Sequence, residues 1–87
     1  MAFNSALDRE IRGWVIGDPD DRHLRVSVMS YNSGEMKLQV GPRCYKKANG
    51  SNGFAKAGRL TLDEVKALTD IIPEIEGVLS GAVNLLR

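Results

Sequence analysis

Leu24-Arg25-Val26-Ser27-Val28-Met29-Ser30-Tyr31-Asn32-Ser33-Gly34-Glu35-Met36-Lys37-Leu38-Gln39-Val40 alternates apolar and polar side chains on both sides of a short polar break. Leu24, Val26 and Val28 fall on one side and Arg25 and Ser27 on the other, the two-residue period of a strand with one buried face. Met36, Leu38 and Val40 repeat the period, opposed by Lys37, Gln39 and Gly41. A three-residue connection that ends in glycine predicts a hairpin in which Gly34 takes the left-handed conformation. If parity survives Pro42, the polar side continues through Arg43, Tyr45 and Lys47; a proline there also marks a bulge or edge that shifts the register.

Upstream, Ile11 to Ile16 predicts a strand that turns at Asp18-Pro19-Asp20-Asp21 into the Leu24 strand, and Asn4 or Ser5 is placed to cap a short helix before it. Downstream, Ala48-Asn49-Gly50-Ser51-Asn52-Gly53 reads as a loop tip and Phe54 to Leu62 as another strand. Thr61-Leu62-Asp63-Glu64 has the form of a capping box, the threonine hydroxyl accepting from the third helical N–H while the glutamate reaches back. Beyond it Val65, Leu68, Ile72, Ile75, Leu79, Ala82 and Leu86 recur at alternating spacings of three and four, a heptad seam that Ile71, Val78 and Leu85 widen on one flank. A helix of about 24 residues is roughly 36 Å long at 1.5 Å per residue, longer than one face of so small a sheet. One side of the stripe is therefore expected to meet the sheet and the other a second copy of the helix, making the seam a dimer interface. An amphipathic helix packed only on its own sheet is the simpler alternative. Pro73 lacks an N–H and predicts a kink near the middle of the helix.

The expected fold is α+β: a curved four-stranded antiparallel sheet, with a further strand or short helix in residues 1–21, then a long kinked C-terminal helix, assembled as a homodimer. Residues 1–21 read as an N-terminal extension and 22–87 as the functional unit of a single domain. At 87 residues a lone core is near the lower limit of self-sufficiency, which favours help from a partner subunit. The single cysteine, Cys44, has no partner for an internal disulfide and suits a reducing compartment. No stretch is apolar enough to span a membrane, and Met1 to Asp8 lacks the basic and apolar regions of a signal peptide, so a cytoplasmic location is expected.

The net charge of +1 conceals an uneven distribution. Residues 1–36 hold four basic and six acidic side chains, 37–60 six basic and none acidic, and 61–87 two basic and five acidic. A cationic middle segment flanked by acidic ones is the pattern of a localised site for a polyanion.

In their order, several of these strings resemble the positive cofactor four family of transcriptional coactivators, single-stranded DNA binders with bacterial and viral relatives. Arg25-Val26-Ser27-Val28, the hairpin ending Tyr31-Asn32-Ser33-Gly34, Met36-x-Leu38-x-Val40, Leu60-Thr61-Leu62, and Leu68 through Ile72-Pro73-Glu74-Ile75-Glu76 carry the resemblance, which covers Arg22 to Leu79. It implies a homodimer of crossing helices whose sheets line two channels for unpaired DNA, acting in transcription or in DNA replication and recombination. It also implies an aromatic at the first hairpin, matched by Tyr31, and another late in the second strand, matched by Tyr45 or displaced by one residue to Cys44. Phosphate-contacting cations follow at Arg22, Arg25, Lys37, Arg43, Lys46, Lys47, Lys56 and Arg59. The hairpin tip departs from the family in not being lysine-rich, and the absence of a Ser/Lys-rich segment points to a bacterial or bacteriophage source.

The chemistry agrees with that expectation. A sheet face can hold aromatic rings on which unpaired bases stack at about 1–3 kcal/mol each while cations follow the phosphates. Tyr31 and Tyr45 are predicted on one polar face with Lys37 and Arg43. Phe54 reads equally as a stacking platform or as a core plug, and Trp14 as core. His23 has no second ligand at metal spacing, Cys44 no catalytic partner, and no phosphate loop or acid/base pair is recognisable, so neither cofactor nor catalysis is expected. The competing classes are a dimeric adaptor for polymerase or recombination proteins, with secondary nucleic-acid affinity, and an RNA-binding module.

Overall fold

The computed structural model describes residues 4–81. Four strands, β1 (Asp8–Gly17), β2 (His23–Tyr31), β3 (Met36–Lys46) and β4 (Asn52–Ala55), pair antiparallel in the order β1-β2-β3-β4, and one helix, α1 (Leu62–Leu79), follows. The fold is α+β. The count of four is reached with β1, which pairs along its length with β2 and is an integral strand of the sheet. A single 3-10 turn, Ser5–Leu7, precedes it, with the Asn4 side chain accepting from the Ala6 N–H.

Cross-strand partners share a face, so the register sorts the side chains. Trp14 and Ile16 oppose Val26 and Leu24, and Val26 and Val28 oppose Val40 and Leu38, all on the side that carries α1. Val26 and Val28 meet Ile75 and Val78 in the core, with Ile11, Met36, Leu68, Ile71, Ile72 and Leu79 packed around them. Arg12 reinforces this seat, its guanidinium lying 5.2 Å from the centre of the Trp14 ring and bonding Glu74 of α1 at 3.2 Å. The opposite face bears Glu10, Arg25, Ser27, Met29, Tyr31, Lys37 and Gln39.

Three expectations are corrected. In the first hairpin the left-handed residues are Asn32 (φ 51°) and Ser33 (φ 59°), and Gly34 donates its N–H to the Tyr31 carbonyl; two consecutive positive φ values close a tighter turn whose twist matches the flanking strands. The strand expected over Phe54 to Leu62 is only Asn52–Ala55. The following carbonyls turn to a side chain instead of a ladder, Arg43 Nη2 donating to Ala57 O at 2.9 Å and to Arg59 O at 3.1 Å.

The third correction concerns parity. Val26 opposes Val40 but Leu24 opposes Arg43, so Gly41 and Pro42 insert an extra residue opposite Arg25. This bulge inverts the remainder of β3. Arg43 and Tyr45 turn to the helix side, while Cys44 and Lys46 join the open face beside their partners Phe54 and Asn52.

α1 begins with the expected box: Glu64 N–H donates to Thr61 Oγ1 at 3.2 Å and Thr61 N–H to Glu64 Oε1 at 2.9 Å. It continues as one element through Pro73. Among the described residues no helix is long and apolar enough to cross a membrane.

Candidate nucleic-acid interface

Antiparallel pairing sets the start of β2 beside the end of β3 and the start of β4, so residues distant in sequence gather at one end of the sheet. Arg22, Arg25, Arg43, Tyr45, Lys46, Lys47 and Phe54 all belong to that end. Tyr31 and Lys37 lie towards the other, Tyr31 eight residues along β2 from His23 and Lys37 opposite Met29, six residues along, so roughly 26 and 20 Å away at 3.3 Å per residue. The eleven candidate DNA-binding residues do not form one continuous platform.

Phe54 is the aromatic most open to solvent among the described residues, at 66%. It projects on the open face opposite Cys44 and lines both of two concave patches. One, of about 180 Å³, also includes Asp21, His23, Arg25, Tyr45, Lys46 and Asn52. The other, of about 430 Å³, runs between Gln39–Pro42 and Phe54–Ala57 with Lys56 on its rim. The Lys46 ammonium donates to Asn52 Oδ1 at 3.0 Å, which holds it on this face. The core-plug alternative for Phe54 is thus set aside.

Tyr45 occupies the other side of the same end. The hydroxyl end of its ring lies against Gly53, where an added Cβ would meet Cε2 and Cζ, so this approach needs glycine. The ring borders a cleft of about 630 Å³ between the sheet end and the first turn of α1, shared with Arg22, Ile16, Ala55 and Asp63. Arg43 fills its inner wall, forking onto both Glu64 oxygens, and is a structural tie instead of an open phosphate contact. That fork, with the Thr61 N–H, holds the Glu64 carboxyl below its ordinary range and the Arg43 guanidinium above its own.

Tyr31 also carries a structural role, its hydroxyl accepting from the Asn4 N–H at 2.8 Å. Arg25 is paired with Glu10 at 2.9 Å, and the same carboxylate accepts from Ser27 Oγ at 2.7 Å; these two donors, Ser27 foremost, hold Glu10 below its ordinary pKa. Lys37, Lys47, Lys56 and Arg59 make no side-chain ion pair among the described residues. No group of three or more potential metal ligands is clustered among the described residues.

Of the helix seam, Ile75 is 2% exposed against its own sheet, with Leu68, Ile72 and Leu79 packed around the same core, while Val65 stands 46% exposed. Ala82 and Leu86 lie outside the described residues. Comparison with protein-family models, with curated proteins and with solved structures found no match.

Proposed function

We propose that the protein binds single-stranded DNA without sequence readout, stacking bases on Phe54 and Tyr45 and drawing phosphates onto the surrounding cations, and that it does so as a homodimer with α1 kinked at Pro73. The observation that carries this reading is the setting of Phe54. Its ring is open to solvent and lines two concavities, one holding Lys46 and the other Lys56, with Arg25, already paired to Glu10, beside the first. A base plane needs such an open ring, and a sugar-phosphate chain needs cations on both sides of it. Duplex DNA, whose bases are already stacked and paired, cannot use the ring.

Anisotropy titrations of labelled single-stranded DNA, duplex DNA and RNA of equal length at one salt concentration test the reading. Single-stranded DNA should bind most tightly. Equal affinity for duplex and single strand would refute it, and tighter binding of RNA would transfer the same chemistry to that polymer.

A further inference from the structure

β3 has a second neighbour only along its last four residues, where Arg43–Lys46 pairs with β4. Met36–Val40 is bonded on the β2 side alone, and among the described residues no backbone group pairs with its open edge. Of the two outer edges, β4 is only four residues long, and β1 is guarded by a register break between Glu10 and Arg12 and by charges at Arg9, Glu10 and Arg12, devices that discourage strand addition. Met36–Val40 has no break and one charge, with Leu38 37% exposed at its centre.

We propose that this half-edge receives a second copy of the chain, the two Met36–Val40 segments pairing antiparallel about a two-fold axis through Leu38. The inference keeps the homodimer of the reading above but moves its interface from the helix seam to this edge, and it does not rest on nucleic-acid binding. In that register Leu38 faces Leu38 of the partner subunit, Met36 faces Val40, and Lys37 faces Gln39. Apolar pairs gather on the helix side. On the open face each ammonium meets an amide instead of a second lysine, which avoids the penalty for opposed like charges. Centring the axis on Lys37 opposes two ammonium groups, and centring it on Gln39 brings Pro42, which has no N–H, into the ladder.

The flank supplies a second match. Past Val40 the ladder stops, because Ala57 already lies against Gly41; Glu35 of the partner subunit, next after Met36, leaves the ladder beside the groove of about 430 Å³ that Lys56 helps to line. A carboxylate arrives beside Lys56, which in the dimer is then held by it, leaving Lys46 on the other patch for a phosphate. The small core favours the same outcome: among the described residues the buried apolar side chains are Leu24, Val26, Val28, Cys44, Ile75 and Val78, few for a chain of this length.

The experiment uses the full chain without nucleic acid. Light scattering should give the mass of a dimer. In a Cys44→Ser background, Leu38→Cys should oxidise to a covalent dimer, because directly opposed antiparallel Cα atoms stand roughly 4.5–5.5 Å apart, within disulfide reach. Glu35→Lys and Lys56→Glu should each weaken the dimer about three- to fivefold, and the double charge swap should restore it. A monomeric parent overturns the proposal, as does a dimer that neither cross-links through position 38 nor recovers on the charge swap. A dimer that cross-links and recovers but ignores single-stranded DNA supports this interface and removes the nucleic-acid function instead.

Discussion

The Arg43 guanidinium forks onto both carboxylate oxygens of Glu64, tying the end of β3 to the first turn of α1. The same carboxylate accepts from the Thr61 N–H, so one glutamate closes the helix cap and fastens the helix to the sheet. The Gly41-Pro42 bulge makes this possible, since without the added residue Arg43 would point to the other face.

Acid should loosen this tie. Glu64 and Glu10 both titrate below the ordinary 4.5, Glu64 because Arg43 and Thr61 donate to it and Glu10 because Ser27 and Arg25 do. A depressed folded-state pKa means that the unfolded chain binds protons first. The stabilisation is therefore complete above about pH 4.5 and is lost as pH falls through the lower folded values. Urea midpoints measured from pH 7 to pH 3 should fall across that window, and Glu64→Gln should flatten the fall while lowering the midpoint at pH 7. An unchanged pH profile in Glu64→Gln would show that the fork contributes no linkage.

Thr61→Ala removes one half of the capping box and leaves the Arg43 fork in place. Loss of an N-cap hydroxyl costs about 0.5–2 kcal/mol. The loss should appear as a lower urea midpoint at unchanged slope, and Thr61→Ser should recover most of it.

Gly53→Ala should displace the Tyr45 ring, since its Cβ would meet Cε2 and Cζ. The ring is the far end of a side chain 36% exposed and can swing aside, so the cost should stay below the roughly 1–3 kcal/mol of an overpacked core. Combined with Tyr45→Ala the same substitution should cost far less, because the obstructing ring is gone. Additive effects in the double variant would place the strain elsewhere.

The parts of this molecule legible in the sequence are those whose cause is local. Leu24, Val26 and Val28 announced β2 because burial on one face imposes a two-residue period, and Thr61 and Glu64 announced the helix start because a capping box closes within four residues. The bulge at Gly41-Pro42 was only half legible. Pro42 signalled a disturbance, but which side chains it inverted depends on where β2 resumes pairing, and Leu24 opposite Arg43 is a tertiary fact. For the same reason Tyr31 and Tyr45, assigned to one face, stand on opposite faces and at opposite ends. Phe54 was ambiguous because β4 is too short to show a period. Its face follows from its partner Cys44, whose side the bulge decides.

Stacking and charge around Phe54 should separate cleanly in paired variants. Phe54 is mostly solvated, so Phe54→Ala should alter the urea midpoint little, within the roughly 0.5 kcal/mol typical of surface changes. Its affinity for single-stranded DNA should nonetheless fall by about 1–3 kcal/mol, with the salt dependence unchanged, because a base plane has lost its platform and no phosphate contact has been touched. Lys46→Ala should behave in the opposite way. Removing one phosphate contact lowers the slope of log affinity against log salt by about 0.7 for a single strand, so the defect should be large in dilute salt and fade as salt rises. The pair is informative because Lys46 and Phe54 share one face of the same strand ladder, and a general disturbance of β4 would change both readouts in both variants. A Phe54→Ala protein that binds single strands as the parent does would remove the ring from the interface and leave the cations of this sheet end without a stacking partner on the open face.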